Sequence, residues 1–238
     1  MSLHEKAEQY LRTQIDNGKW KVGDCIPTEM ELSETLGVSR PTIRQALLKL
    51  TNEGYIVRVK GKGSFITQPK LLHESTSMLV GYRQESHKQN RQITTTVLEL
   101  ETTKPDAEIA KNMNLSQGEK IVFLTRLRTV SGYNKDRPVV LTHVYVPLAV
   151  FPQMPTLDFS QLSLYDVLEE RGLGVRATEK TLEVVVATQE QSNLLQLNPF
   201  EPLIRVITVG KTADGKIIEY SQSYYPASSS QFLIKTER

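Results

Sequence analysis

The sequence predicts an α+β protein with a small helical domain first and a larger domain of mostly antiparallel strands second. The length of 238 residues is enough for one or two domains. Helical patterns dominate up to about residue 68, and strand-like alternation dominates after the polar segment TQPKLLHESTS. We therefore place the first domain at residues 1–68, a linker at 69–76 and the second domain at 77–238.

Composition limits the compartment and the chemistry. Cys25 is the only cysteine, so no internal disulfide can form. The N-terminus lacks the apolar core of a signal peptide, and no run approaches the roughly 20 apolar residues that cross a bilayer. The four histidines, His4, His73, His87 and His143, lie far apart without metal-binding spacing. We therefore expect a cytoplasmic protein with no membrane partner, no cofactor, no metal and no catalytic residue.

Three helices are predicted in the first domain. The first spans residues 3–17, where the apolar residues recur with helical spacing. The second follows Thr28, whose spacing to Glu31 is that of a capping box, and it ends near Gly37. Ser39 is placed to cap the third helix.

The third predicted helix carries basic residues at its start. Its apolar positions form one buried stripe, made of Ile43, Ala46, Leu47 and Leu50. Arg40 and Arg44 lie off this stripe, one turn apart. Two short helices joined by the turn LGV, with a cationic start to the second, are the arrangement that places a recognition helix in the DNA major groove.

A predicted hairpin follows the third helix. The strands YIVRV and SFIT flank the turn KGKG, whose glycines permit the positive φ values of a tight turn. A phosphate-binding glycine loop is the alternative, but it requires a helix directly after the loop, and none follows here. In a chain of net charge +2, this region gathers six basic residues: Arg40, Arg44, Lys49, Arg58, Lys60 and Lys62. Such a cluster predicts binding to double-stranded DNA.

The segment PTEMELSETLGVSRPTIRQALLKLTNEGYIVRVKGKGSF resembles the winged helix-turn-helix of GntR-family transcriptional regulators. This resemblance implies that Arg40 and Arg44 contact bases or phosphates, and that Gly61 enters the minor groove. It also implies phosphate contacts from Ser39 and Thr42. With the basic cluster, the predicted DNA-binding residues are Ser39, Arg40, Thr42, Arg44, Arg58, Lys60, Gly61 and Lys62. The sequence departs from many family members at Met30, where they carry a basic residue.

The second domain combines predicted strands and helices. Strands are expected at residues 92–101 and 179–187, hairpins at 120–147 and 202–226, and helices at 105–113, 163–172 and 188–197, the first with Pro105 in its first turn. In two of these strands, polar residues alternate: Arg126 with Arg128, and Glu219, Ser221, Ser223 and Tyr225 on another shared face. The pattern allows two interpretations, a solvated sheet face or a pocket for an anion.

The segments IVFLTRLRTV, LSLYDVLEERG and IIEYSQSYYP are similar to the effector-binding UTRA domain of the HutC subfamily, whose fold is like chorismate lyase. The resemblance implies that Arg126 and Arg128 bind the acidic group of an effector, commonly a sugar phosphate or a carboxylate. Its other pocket positions are Thr94 or Thr95, Ser163, Glu219 and Tyr225. Thr142 stands where many members have glutamate, and the Ser131–Pro138 turn is longer than usual.

These expectations combine into one functional hypothesis. We expect a homodimeric, sequence-specific transcriptional regulator that binds a palindromic double-stranded operator. It acts as a repressor that a small anionic metabolite, such as a sugar phosphate, releases from DNA. Two alternatives stay open at this point: an enzyme like chorismate lyase, and a DNA-binding dimer whose second domain binds no ligand.

Overall fold

The computed structural model describes residues 2–67, 70–74, 93–131 and 137–234. The chain divides into two compact units, Met1–Lys70 and Leu71–Arg238. The first is mainly helical and the second is built on an antiparallel sheet, so the predicted α+β class is confirmed. Within the described ranges, no helix has both the length and the apolar character needed to span a bilayer.

The N-terminal unit is a winged helix-turn-helix, as predicted. Its elements are α1 (Leu3–Asp16), α2 (Glu29–Leu36), α3 (Arg40–Asn52), β1 (Ile56–Val59) and β2 (Gly63–Ile66). The capping box is present, because Thr28 donates its backbone N–H to Glu31 Oε2 at 2.7 Å and its hydroxyl accepts from Glu31 N–H. Gly37 ends α2 in the left-handed region at a φ of 63°. Ser2 and Glu5 form a further capping box at α1 that the sequence reading missed.

The core of this unit lies between the helices and the hairpin. The predicted stripe of α3 is buried as expected, and it packs with Leu11 of α1 and Leu32 of α2. Ile56 and Ile66, which face each other across β1 and β2, complete the cluster from the hairpin side. Burying each large apolar side chain of this cluster stabilises the fold by roughly 1.5–3 kcal/mol. Because the apolar stripe of α3 faces this core, the basic side of the helix faces outward.

A buried carboxylate connects α1 to α3. Glu8 Oε2 accepts a hydrogen bond from Lys49 Nζ at 2.7 Å, and Glu8 Oε1 accepts one from Arg12 Nη2 at 3.3 Å. Arg12 also pairs with Glu53, and its guanidinium lies 4.7 Å from the centre of the Tyr55 ring. The hydrogen bond from Lys49 contributes most to holding the pKa of Glu8 below its usual value. Ionised Glu8 therefore stabilises the contact between the two helices.

Replacing Glu8 with glutamine is expected to lower the melting temperature of the N-terminal unit by roughly 5 °C at neutral pH. The only tryptophan, Trp20, packs against this core, so its fluorescence reports the melting of this unit. Because the pKa of Glu8 is lowered in the folded state, its stabilisation is present above the ordinary glutamate pKa of about 4.3 and is lost as pH falls through the folded pKa. The difference between wild type and Glu8→Gln should therefore close in acid.

Glu34→Gln is the matched control for this prediction. Glu34 is an exposed acid of α2 for which the described part of the chain records no ion pair. Its replacement removes the same charge from the same unit without breaking a contact. Equal melting temperatures for wild type and Glu8→Gln would show that the carboxylate does not hold α1 on α3.

The C-terminal unit is built on a six-stranded antiparallel sheet. Its elements are β3 (Leu71–Glu74), β4 (Ile93–Thr103), α4 (Ala107–Asn112), β5 (Ile121–Val130), β6 (Pro138–Pro147), α5 (Leu164–Glu170), β7 (Ala177–Val186), α6 (Gln189–Leu195), β8 (Pro202–Lys211), β9 (Ile217–Pro226) and β10 (Ser230–Leu233). The strand order is β4-β5-β6-β9-β8-β7. Both predicted hairpins, β5–β6 and β8–β9, are present. The Ser131–Pro138 turn lies mostly outside the described residues.

A short strand occupies part of the segment that the sequence assigned to a linker. The linker was placed at residues 69–76, whereas Leu71–Glu74 form β3 and pair in parallel with β10. Leu71 is buried with Val130, Val139 and Val140, which explains why this segment is ordered as a strand of the C-terminal unit. Residues 69, 75 and 76 lie outside the described ranges.

Helices cover both faces of the large sheet. On one face, α5 packs through Leu164 and Leu168 against β5 and β6. On the other face, α4 and α6 cover two separate apolar clusters. One local prediction at α4 is wrong: Asp106 caps the helix by accepting from Ile109 N–H at 2.7 Å, so Pro105 precedes the first turn instead of occupying it.

Candidate functional site

The start of α3 presents basic and hydroxyl side chains to solvent. Ser39 caps the helix by accepting from Thr42 N–H at 3.4 Å, and the two hydroxyl groups hydrogen-bond each other at 2.8 Å. Arg40 occupies the first helical position, and Arg44 follows one turn later. Both arginines are exposed, since Ile43 and its stripe face the core.

The hairpin forms the second part of this basic surface. Strands β1 and β2 pair from Ile56↔Ile66 to Val59↔Gly63, and Lys62 N–H donates to Val59 O at 3.0 Å to close the turn. Gly61 has a φ of 76° in the left-handed region, which explains the glycine at the tip. The basic residues predicted in this hairpin are all exposed: Arg58, Lys60 and Lys62.

Glu29 of α2 joins the helix to the hairpin. Arg44 donates Nη2 to Glu29 Oε2 at 2.8 Å and Nε to the same oxygen at 3.1 Å. Arg58 Nη2 lies 3.7 Å from Glu29 Oε1. The structure therefore brings two of the predicted DNA-binding arginines to one carboxylate. Met30, the next residue, is 55 % exposed and supplies no charge there.

A polar pocket lies on one face of the C-terminal sheet. Period-two alternation puts Arg126 and Arg128 of β5 on this face, as predicted, and the β9 residues with the same alternation join them. The cavity has a volume of about 130 Å³. Its lining is made of Thr95, Arg126, Arg128, Thr142, Val144, Ser160, Leu162, Ser163, Leu164, Tyr165, Lys180, Val206, Thr208, Glu219, Ser221, Ser223 and Tyr225.

The arginine pair is buried. Arg126 is 7 % exposed and Arg128 is 8 % exposed, so the solvated-face interpretation of this strand is wrong. Arg128 donates Nη1 to Thr142 Oγ1 at 3.2 Å, and Ser223 donates its hydroxyl to the same oxygen at 3.3 Å. Within the described residues, Arg126 Nε has no hydrogen-bond partner. Buried guanidinium groups with incomplete hydrogen bonding are costly unless an anion joins them.

Burial shifts the titration of the charged groups in the pocket. It lowers the pKa of Arg126, the charge of neighbouring Arg128 lowers it further, and the charge of Glu219 opposes both effects. Burial likewise raises the pKa of Glu219, against the effects of Tyr165, Ser221 and Arg126. Because Arg126 and Glu219 are both buried, little water surrounds them, and an added negative charge there interacts strongly with an arginine.

Most of the predicted effector-binding residues line the pocket, with one exception. Thr95 pairs with Arg128 across β4 and β5 and lines the cavity, whereas Thr94 is exposed and does not. Ser163, Glu219 and Tyr225 line it as predicted. Ser163 also caps α5 through Asp166 N–H.

The sequence reading missed Lys180 and Tyr165. Lys180 on β7 reaches the pocket because it pairs with Thr208 on β8, which in turn pairs with Ser221 on β9. Tyr165 belongs to α5, and burial raises the pKa of its hydroxyl. No local sequence pattern predicts that Lys180 or Tyr165 lines the pocket, because both positions depend on packing between segments that are far apart in the chain.

Strand β3 contacts the pocket wall. The His73 ring lies 4.6 Å from the ring centre of Tyr225 and 4.9 Å from that of Phe232 on β10. Tyr225 also packs edge-on against Phe232. The first strand of the C-terminal unit therefore rests on a side chain that lines the cavity.

Two family models match this chain over separate ranges. The model described as bacterial regulatory proteins, gntR family, matches residues 3–66. The UTRA domain model matches residues 88–231, which is more than half of the chain. The chain belongs to the GntR family and carries a UTRA domain.

Relatives of this GntR-family regulator span its full length. It is 30 % identical over 231 residues to the histidine utilization repressor of Klebsiella aerogenes, covering 95 % of this chain and 91 % of that protein. It is 25 % identical over 237 residues to the mannosyl-D-glycerate transport/metabolism system repressor MngR of Escherichia coli, covering 99 % and 96 %. Its fold matches the crystal structure of PhnF from Mycobacterium smegmatis at a TM-score of 0.74 and 22 % identity, covering 97 % of this chain and 99 % of that one.

Family membership decides between the classes of function. The family and these relatives are transcriptional regulators and not enzymes, which excludes the lyase-like alternative. The winged helix-turn-helix implies an operator as one partner of this GntR-family regulator, and the UTRA domain implies a small-molecule effector as another.

Proposed function

We propose that this regulator is a homodimeric repressor that leaves a palindromic operator when a small anionic metabolite, such as a sugar phosphate, enters the pocket. One relative is named as a repressor of mannosyl-D-glycerate transport and metabolism, and another as a repressor of histidine utilization. These names support a role in controlling a catabolic or uptake operon. A twofold dimer presents two copies of α3, so its operator should contain two symmetric half-sites.

The DNA-binding surface in this proposal consists of the α3 start and the hairpin. We assign DNA contacts to Ser39, Arg40, Thr42, Arg44, Arg58, Lys60, Gly61 and Lys62. The exposure of the basic side chains and the contacts of Arg44 and Arg58 with one carboxylate support the assignment. The helix start is the part of a recognition helix that reaches base edges, and a cationic hairpin suits the flanking backbone.

The buried pair Arg126 and Arg128 is the observation that carries the effector proposal. Among the described residues that line the cavity, basic side chains outnumber carboxylates, because Lys180 joins the two arginines and Glu219 is the only acid. Arginine presents a planar fork that matches a phosphate or carboxylate. An anion bound there would supply the missing partner of Arg126 and offset the repulsion between the two guanidinium groups.

The other lining residues suit a polyhydroxylated ligand. Glu219 Oε2 is buried and has no hydrogen-bond partner among the described residues, so it can accept from a ligand hydroxyl or ammonium group. We assign further ligand contacts to Thr95, Ser163 and Tyr225, which line the same cavity. A cavity of about 130 Å³ has room for a small molecule or for one end of a larger metabolite, since a cavity of about 150 Å³ takes up benzene.

A ligand screen tests this proposal. The full chain is melted with sugar phosphates and small carboxylic acids, and with the matching neutral sugars as controls. A compound at 100 times its dissociation constant should add roughly 2.7 kcal/mol of stability, and the same compound should release the operator in a gel-shift assay. Stabilisation by neutral sugars alone would contradict an anion site, and no stabilisation by any compound would favour a DNA-binding dimer without a ligand.

A further inference from the structure

An acidic side chain stands in the middle of the basic DNA-binding surface. Glu29 lies in the first turn of α2, and its side chain is 20 % exposed. The two arginines that it contacts are more exposed, Arg44 at 60 % and Arg58 at 40 %. DNA repels a carboxylate, so an acid at this place weakens phosphate binding unless it contributes to recognition in another way.

The contacts of Glu29 occupy only one edge of the Arg44 guanidinium. Nε lies 3.2 Å from Oε1 and 3.1 Å from Oε2, and Nη2 lies 2.8 Å from Oε2. A guanidinium group has two edges that can make paired hydrogen bonds: one formed by Nε and Nη2, and one formed by Nη1 and Nη2. Glu29 takes the first edge. The second edge, with one Nη1 proton and one Nη2 proton, points away from the carboxylate.

We propose that Glu29 is a positioning residue for sequence recognition: it fixes the Arg44 side chain so that the Nη1–Nη2 edge reads a guanine in the operator. Guanine offers O6 and N7 as a pair of acceptors in the major groove, and a bidentate arginine is the most common specific contact to it. This inference rests on the proposed DNA-binding surface. It adds that an acid acts on base recognition through an arginine that it holds in place.

The balance of charge supports this role over simple repulsion. Hydrogen bonds from Arg44 and the nearby charges of Arg58 and Arg40 hold the pKa of Glu29 below its usual value, so Glu29 is ionised at neutral pH. A free arginine loses much rotamer freedom when it binds a base, and an arginine already held by Glu29 loses less. The charge of Glu29 weakens binding to every DNA sequence by a similar amount. By holding Arg44 in place, Glu29 lowers the entropic cost of the specific complex alone, so it increases the preference for the operator over other sequences.

Glu29→Gln in the full chain tests the inference. The probes are a duplex selected by the wild-type protein from a random pool and a scrambled duplex of the same length and composition. We expect the affinity for the scrambled duplex to stay equal or to rise, because a negative charge is removed. The affinity for the selected duplex should fall, so that the ratio of the two affinities drops about tenfold. The loss of discrimination should be confined to the base pair at which Arg44→Ala also loses it.

Two comparisons make the outcome decisive. Glu34→Gln removes the same charge from an exposed position of α2 and should leave the ratio unchanged. In an Arg44→Ala background, Glu29→Gln should lower the ratio no further, because the positioned side chain is already gone. Trp20 fluorescence melting should match wild type for Glu29→Gln.

Several results would overturn the inference. Equal tightening on both duplexes would show that Glu29 only repels DNA. Equal weakening on both, with a lower melting temperature, would show a structural role alone. If Arg44→Ala itself leaves binding to the selected duplex unchanged, the proposed DNA-binding surface is wrong, and the role of Glu29 fails with it. Unchanged binding of Arg44→Ala is distinguishable from the other results, because that variant keeps Glu29.

Discussion

Replacing Arg126 and Arg128 together with alanine is expected to abolish release of the operator by the effector, while operator binding without effector persists. Each charge-assisted hydrogen bond to an anion is worth about 1.5–3 kcal/mol, so losing both arginines should raise the required effector concentration by roughly 100-fold or more. Both residues belong to the C-terminal unit, whereas the proposed DNA contacts belong to the N-terminal unit. An effector can shift the equilibrium toward the state that does not bind DNA only by as much as it binds that state more tightly than the DNA-binding state. The two arginines would supply much of this difference in affinity.

A gel-shift titration measures this loss, with an effector taken from the ligand screen. Because the double variant removes two buried charges and leaves a cavity, circular dichroism and thermal melting check that it folds. Arg126→Lys and Arg128→Lys keep the charge but not the planar fork, so each should weaken the response without abolishing it. Arg176→Ala, which removes an exposed arginine paired with Glu169, serves as the control. Release of the double variant at wild-type effector concentrations would place the effector site elsewhere.

Arg40→Ala and Arg44→Ala are each expected to weaken operator binding roughly ten- to a hundredfold while the fold survives. Both side chains are exposed and lie off the buried stripe of α3, so their removal creates no cavity. If Arg44 reads a base, its loss relaxes discrimination at one base pair. A residue that contacts only phosphate instead weakens binding to all sequences and reduces the salt dependence.

Binding curves at several salt concentrations separate these two roles. The exposed Lys19→Ala variant, which lies outside α3 and the hairpin, is the control and should retain wild-type affinity. Unchanged affinity in both arginine variants would remove α3 from the DNA interface. Trp20 fluorescence melting should show the same stability for both variants as for wild type.

Local elements were predictable because their signals span only a few residues. The capping box at Thr28 depends on two side chains three positions apart, and it is present. The turn of the hairpin between β1 and β2 depends on glycines that accept positive φ, and Gly61 and Gly63 do so. Period-two alternation also assigned Arg126 to the correct face of its strand. Each of these signals works within one helix turn or one strand.

Contacts between distant segments were not predictable from these patterns. The parallel pairing of β3 with β10 joins residues near 71 to residues near 230. With only four residues, β3 is too short to show a sequence pattern that predicts this pairing. Lys180 enters the pocket only through the registers of β7 with β8 and of β8 with β9. The choice of Thr95 over Thr94 follows in the same way from its pairing with Arg128. A shift of one residue in any of these registers would turn the other set of side chains inward.

The sequence by itself determined which residues are candidates for binding DNA and effector: a basic helix start and hairpin, and an arginine pair on one face of a strand. Alternation within a strand cannot show whether that face is covered, so the burial of Arg126 and Arg128 was decided by the tertiary structure. The tertiary structure also brought Glu29 of α2 to Arg44 of α3 and Arg58 of β1, since an ion pair between separate elements depends on how those elements pack. Short-range hydrogen bonds and periodicity act along the chain, whereas burial and ion pairing depend on segments that meet only after folding.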